Sequence, residues 1–372
     1  MYSVYQHWNP LKTCIVGRSY PPEYYQWIKN KKTRSLFEKI ARETEEDYQN
    51  IIKKLKEFGV EVLRPELPPY EAFKESFPPP PMNPRDYMVM IGNKFYLNWE
   101  CLDFDHWYFN NRKNEISCKN PEQLKQLNPD LYVEWQNYVT SKPLGNCYNK
   151  IIDQIKEKGN TVKTFWHHAL NGAMVTRIGK DLYFGTIDNE EYTDFTQEKL
   201  DVEFPNTRNH IVLLEGHSDG TYCPVCPGLI VSLKDIPTYE NTFPGWEVVY
   251  LPDQSWEKVQ PFMDLRDKTG GGWWIPGFEY DDNVINIVET WLKDWVGYVE
   301  ETVFDVNMLI VDPKNVLVFN YNKQTFDAFE RHGITPHIVP FRHRYFWDGG
   351  IHCITCDIHR EGNMDDYFAD TL

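Results

Sequence analysis

The 372-residue sequence is short of positive charge. Its 39 lysines and arginines face 55 aspartates and glutamates, giving a formal net charge of -16. That balance argues against nucleic acid or an anionic membrane as the main partner. Long apolar runs are missing too. None approaches the roughly 20 residues that cross a bilayer. No apolar run follows a basic segment near the N-terminal end, so no signal peptide is expected. Cysteines number only eight and are scattered. In a chain of this size that speaks against a disulfide framework and for a reducing cytoplasm. Cys223 and Cys226 have the spacing of a metal or redox pair. No second Cys/His pair lies near them, so neither a metal nor another cofactor is expected.

What the sequence does have is a core-forming supply, with 41% hydrophobic and 15% aromatic residues. The aromatics suit a well-lined cleft, and packing alone accounts for them equally well. Residues 1–372 are enough for one large domain or two ordinary ones, and a single domain is expected. Two short patterns recur along it. One is amphipathic helix, glycine, strand: KKLKEFGVEVL, DQIKEKGNTVKTF and DAFERHGITPHIV. The other is strand, tight turn, strand: MVMIGNKFYL, TRIGKDLYFG and MLIVDPKNVLVF, turning at Gly92-Asn93, Gly179-Lys180 and Asp312-Pro313. Recurrence of one supersecondary unit points to a pseudo-symmetric array that closes on itself. An ordinary α/β protein with common hairpins is the plainer alternative. Residues 99–140 are aromatic and fit neither pattern.

In such an array, equivalent positions converge. Asp86 precedes the first hairpin, Met174 the second and Asp305 the third. His217 and Asp219 precede the strand GLIVSL. Arranged around an axis, these positions share one central cavity. Near the C-terminal end, FWDGGIHCITCDIHREG places Cys353 between two glycines and an alternating run that reads as a strand. The glycines permit tight or left-handed backbone and open space around the thiol. Cys356, three residues on, reads as structural. A thiolate is the nucleophilic form of cysteine and needs a nearby base or cation near neutral pH. His217 and Asp219, read as two side chains on one face of a strand, supply an acid/base and an anion. A buried His–Asp pair joining two strands is the structural alternative, and Asp86 can equally cap the turn after Pro84. GGGWW at 270–274 reads as a lid hinge or a plain loop.

These residues resemble a known family. WDGGIHCITCDIHREG is similar to the C-terminal nucleophile motif of the arginine:glycine amidinotransferases, in the guanidino-group-modifying (pentein) superfamily. NPRD at 83–86 with IGN after it, GHSDGTYCPVCPGLIVS at 216–232 and QHWNPLKTCIVGR near the start resemble that family in the same order. The resemblance implies a five-bladed α/β propeller of ββαβ units around a central active site. It implies that Cys353 attacks the guanidinium carbon of arginine or a related donor. His217 protonates the departing amine, and an acceptor amine takes the amidino group from sulfur. Asp219 and Asp86 fall where the family grips the planar cation. The partners implied are thus a small-molecule guanidine donor and an amine acceptor, with room for a homodimer.

The departures fall on the substrate side. The family has an acidic residue where this chain has Met174 in NGAM, and Asn171 just upstream is neutral as well. Asp305 stands where a small polar residue is usual. The arginine that comes after LIVS in the family, a carboxylate clamp, is absent from LKDIPT. Substrate-binding candidates are therefore Asp86, Asp305, Met174 and Asn171. Hydrolysis of the adduct is the competing chemistry, and a non-catalytic binding protein that kept the fold is the competing class.

Overall fold

The computed structural model describes residues 1–71, 73, 77–98, 118, 121–141, 147–167, 170–186, 195–214, 216–233, 239–251, 262–263, 265–266, 272–296, 306–347 and 349–369. Among the described residues, fifteen strands form five three-stranded sheets. The first sheet joins the two ends of the chain: β1 (Leu11–Val16) lies between β15 (Thr355–Arg360) and β2 (Glu61–Leu63). The others come in chain order. They are β3 (Met88–Ile91), β4 (Lys94–Leu97) and β5 (Thr161–Thr164), then β6 (Val175–Ile178), β7 (Asp181–Thr186) and β8 (Arg208–Leu213). The fourth holds β9 (Tyr222–Cys226), β10 (Leu229–Ser232) and β11 (Glu247–Tyr250). The fifth holds β12 (Leu309–Asp312), β13 (Asn315–Val318) and β14 (Thr335–Ile338).

In every blade the first two strands pair antiparallel and the last two parallel. A parallel return needs a crossover. Helices α1 (Lys31–Glu57), α2 (Asn149–Glu157), α3 (Gln197–Glu203), α4 (Tyr239–Thr242) and α5 (Lys323–Arg331) supply it, giving ββαβ five times over. The expected five-bladed α/β propeller is therefore the observed architecture. Only three copies of each pattern are visible in the sequence. The blade in which neither pattern shows, beyond the single strand GLIVSL, has a one-turn crossover, and the first blade is split between the chain ends.

The recurring glycine has a specific cause. After α1, Gly59 donates its N–H to Lys56 and Val60 donates to Leu55. The same pair of bonds closes α2 at Gly159 and Asn160, and α5 at Gly333 and Ile334. This helix-ending motif needs a left-handed residue, and the three glycines have φ of 75°, 85° and 67°. It turns the chain straight into the third strand. The hairpins turn at Gly92-Asn93 and Gly179-Lys180 as expected. The third turns at Pro313-Lys314, one residue later than expected. Asp312 stays in the ladder opposite Asn315, and its carboxylate accepts from the N–H of Lys314 at 2.8 Å.

The core lies between blades. One cluster packs α1 residues Phe37, Ile40, Tyr48, Ile51 and Leu55 against Trp273, Trp347 and the first and fifth blades. Three further clusters fill the remaining seams. Residues 99–117 of the aromatic stretch lie outside the described residues; further along the chain, Pro121–Leu127 and Pro129–Ser141 are helices. Gly270 and Gly271 of GGGWW also lie outside them. Trp273 and Trp274 are buried, with indole N–H groups donated to Glu289 and Glu279.

Candidate active site

The first strand of several blades is preceded by a single tight turn of helix. Pro84–Asp86 leads into β3, Gly172–Met174 into β6 and Ser218–Thr221 into β9. Before β15 the chain turns over 351–354, where Ile354 donates to the carbonyl of Gly350. These turns touch one another in sequence around the axis. Arg85 N–H reaches the Cys353 carbonyl at 3.3 Å. Gly172 packs on the carbonyls of Arg85 and Met88, where a Cβ would not fit. Ser218 Oγ donates to the Met174 carbonyl at 3.1 Å, and Asn307 Nδ2 donates to the Asp219 carbonyl at 3.2 Å. The ring closes where Asn307 Oδ1 accepts from His352 N–H at 2.7 Å.

Cys353 sits on this ring, 2% exposed. Asn307 Nδ2 donates to its Sγ at 3.0 Å, and the sulfur lies 3.5 Å from Asp219 Oδ2. The same carboxylate oxygen is 2.7 Å from His352 Nδ1. Burial raises the Asp219 pKa, but the hydrogen bond from His352 and the charges of His352, His217 and Arg85 bring it below the ordinary carboxylate value. Burial, seconded by the Arg85 guanidinium, lowers the His352 pKa, with Asp219 opposing. Gly349, at φ 89°, and Gly350 are required here. A Cβ on the first would crowd Cys353 and Asn83; one on the second would run into Asn307.

The structure thus brings Asp219 to Cys353 and places His217 two residues from Asp219. The two do not share a strand face. They lie on a one-turn helix, His217 at its N-terminal boundary in extended backbone and Asp219 inside it. Glycines at 216 and 220 and a serine between them favour a turn over a ladder. Asp86 ends the turn before β3 and is half-buried. Met174 is buried, and Asn171 accepts the Met174 N–H through Oδ1 at 3.0 Å, closing that turn. Asp305 lies outside the described residues. So do residues 234–238, where the carboxylate-clamp arginine is missing from the sequence.

His352 and Asn307 were not singled out from the sequence. Asn307 stands two residues before β12, the same pre-hairpin zone that drew attention to Asp305. His352 is overshadowed by its neighbour, since nothing in one sequence marks a histidine beside a cysteine as the partner of a distant carboxylate, Asp219. A second unforeseen feature lies beneath. Asp357 on β15 takes Arg177 Nη2 at 2.8 and 2.9 Å and Arg85 Nη2 at 2.7 Å, with Arg360 Nε on its other oxygen. All four residues are buried. Burial alone would raise the Asp357 pKa; the three guanidiniums hold it far below the usual range.

Cys223 and Cys226 lie on β9 with free, buried thiols pushed up to about 12 and about 11 by desolvation. Among the described residues no group of three or more His, Cys, Asp or Glu could hold a metal ion. Cys356 is buried against the Met88 carbonyl, in keeping with a structural part. No helix among the described residues is long and apolar enough to cross a membrane.

No protein-family model matches the chain. It is similar to the mitochondrial glycine amidinotransferase of Xenopus laevis, 23% identical over 391 residues that cover 98% of this chain and 84% of the relative. It is 21% identical to the L-arginine:L-lysine amidinotransferase of Pseudomonas savastanoi pv. phaseolicola, over 77% of this chain and 68% of that one. Among solved structures, the inosamine-phosphate amidinotransferase of Streptomyces griseus superposes with a TM-score of 0.61 at 16% identity, covering 99% of both chains. An amidinotransferase of the saxitoxin pathway from Microseira wollei gives the same score, identity and coverage. With five ββαβ blades and a cysteine on the ring of turns, the chain has the fold of these two solved amidinotransferases and is similar in sequence to amidinotransferases along nearly its whole length.

Proposed function

We propose that this protein is an amidinotransferase that moves an amidino group from arginine or a related guanidine to an amine acceptor, through a covalent adduct on Cys353. The observation that supports it best is the meeting of Cys353, Asp219 and Asn307 on turns from three different blades. A sulfur set beside a carboxylate is arranged to receive a planar cation over it. In the reaction, the Cys353 thiolate attacks the guanidinium carbon. The bond from that carbon to the departing amine nitrogen breaks, and His217 gives the amine its proton. The acceptor amine then loses a proton to His217 and attacks the same carbon, and the carbon–sulfur bond breaks. Asp219 and Asp86 balance the charge of the cation, with Asp305 a third candidate.

Met174 is the main reason to leave the acceptor and donor open. A buried thioether cannot take a hydrogen bond from a guanidinium as a carboxylate does. A donor bound in another orientation, or one lacking a carboxylate, fits that exchange. The seven described cysteines are all free, which suits a reaction carried out in a reducing cytoplasm. The test is intact-protein mass spectrometry after incubation with arginine and other guanidines. A mass increase on Cys353, with ornithine released from arginine and the adduct discharged by an added amine, supports transfer. Discharge by water alone, with urea formed, supports the hydrolase instead. No adduct with any guanidine overturns both.

A further inference from the structure

The proposed chemistry gives Asp219 a charge to present and leaves open what holds it in place. Oδ2 is the oxygen that faces Cys353, and it is the same oxygen that His352 Nδ1 meets at 2.7 Å. Its other oxygen, Oδ1, is buried and has no hydrogen-bond partner among the described residues. Apart from the Cys353 sulfur at 3.5 Å, the imidazole of His352 is the side-chain donor, among the described residues, that orients a carboxylate nine-tenths buried. His352 is itself fixed, since its backbone N–H is tied to Asn307 Oδ1. Behind it lies His7, with ring centroids 5.6 Å apart, in a small cavity also lined by Thr176, Tyr222 and Met308. His7 Nε2 accepts the Arg177 N–H at 3.1 Å, which requires that nitrogen to be unprotonated.

We propose that His352 is a positioning residue: through Nδ1 it holds the Asp219 carboxylate as the cation-binding face of the site, aimed over the Cys353 sulfur. The proposal rests on the amidinotransferase reading and deepens it. An ionised carboxylate taken out of water keeps its charge only if donors replace the lost solvation. Around Asp219 the charged and titratable groups are His352, His217, Arg85, Cys353 and Cys223. Around His352 they are Asp219, Arg85, Asp357 and His7. His352 supplies the side-chain hydrogen bond that holds the Asp219 pKa down. Without that bond the carboxylate takes up a proton at higher pH and turns from the sulfur. The site then loses its grip on a cation while Cys353 and His217 remain in place.

The experiment is calorimetric titration of arginine, agmatine and guanidinium ion into a Cys353→Ser protein across acid to neutral pH. The same protein is then examined with His352→Asn, His352→Phe or Asp219→Asn added. Phenylalanine removes the donor; asparagine keeps an N–H at the position of Nδ1. The expected result is affinity about tenfold lower in His352→Phe, with the pH at which binding fails raised by about one unit. His352→Asn stays within several-fold of the parent, and Asp219→Asn binds weakly at every pH. If the phenylalanine variant does not fold, His352→Leu takes its place with the same expectation. An unchanged pH midpoint on removal of the donor overturns the proposal. So does equal weakness of asparagine and phenylalanine, which marks a packing effect. Failure of Cys353→Ser to bind any of the three ligands, with no adduct on the parent enzyme, overturns the functional reading, and the proposal falls with it.

Discussion

Replacing Cys353 by alanine removes the one group the proposed chemistry cannot do without, and little else. The sulfur is buried but small, and its hydrogen-bond partners Asn307 and Asp219 have other partners. Cys353→Ala is expected to unfold within a few degrees of the parent and to show no turnover and no guanidine adduct, by calorimetry and mass spectrometry. Activity retained in that variant would remove Cys353 from the mechanism. Gly350→Ala tests the same turn from behind. The added methyl would strike the Asn307 side chain, which ties Cys353 to Asp219. A shift of about 1 Å in a reacting group costs on the order of 100-fold in rate. The expected outcome is a fall in kcat of that size with a folded protein, read by steady-state kinetics. At this scale the meeting of Cys353 with Asp219 was legible, because each lies in a compact motif of the sequence. The sequence was silent on Asn307 and His352, because their importance lies in what they touch across the ring and not in their neighbours along the chain.

Among the elements, β15 bears the most. Besides pairing with β1 it carries Asp357, the carboxylate on which Arg85, Arg177 and Arg360 meet. Each guanidinium also donates to a carbonyl: Arg85 to Thr355, Arg177 to Met90, and Arg360 to Asn9 and Ile310. The hub therefore ties four of the five blades. Asp357→Asn keeps the shape and removes the charge, leaving three buried cations uncompensated. Breaking a buried pair in this way costs about 3–5 kcal/mol, so the urea midpoint is expected to drop steeply; an unchanged midpoint would show that water reaches the cluster. Elements were the most legible scale. The helix-ending glycines and the hairpin turns are local chemistry, so α1, α2, α5 and the three hairpins could be placed within about two residues, as is usual for helix ends. The blade built on α4 could not, because one turn of helix has no periodicity to read.

Across the whole molecule, buried histidines set how stability responds to acid. His7 and His352 are held below the ordinary histidine value by burial, with Arg177 and Arg85 as the respective second causes; His337 and His343 are lowered by burial as well. Each is neutral in the folded protein at a pH where the unfolded chain is already protonated. The unfolded state binds more protons, so stability is complete above an unfolded value of about 6.5 and is lost as pH falls from there toward the folded values. The urea midpoint should decline from neutral pH toward pH 5. His7→Gln, which can still accept the Arg177 N–H, should flatten the decline. The groups that face His7 are Arg177, His352, Asp357 and Arg360. A midpoint that holds steady across this range would mean that the histidines are solvated on the native side. The closed ring as a whole was legible only through repetition, since the pairing of β1 with β15 leaves no local mark.

That pairing has a consequence for timing. A ribosome makes β1 among the first residues and β15 more than 300 later, with Ile15 opposite Cys356. Until then β1 has only β2 beside it, and four blades wait as an open arc. Contacts so distant in sequence are slow to form. Cys353, the nucleophile of the proposed reaction, stands on the same short segment that shuts the arc, two residues before the strand begins. A chain cut short of that segment therefore lacks, in one stroke, both the strand that closes the ring and the thiol on which the proposed chemistry turns.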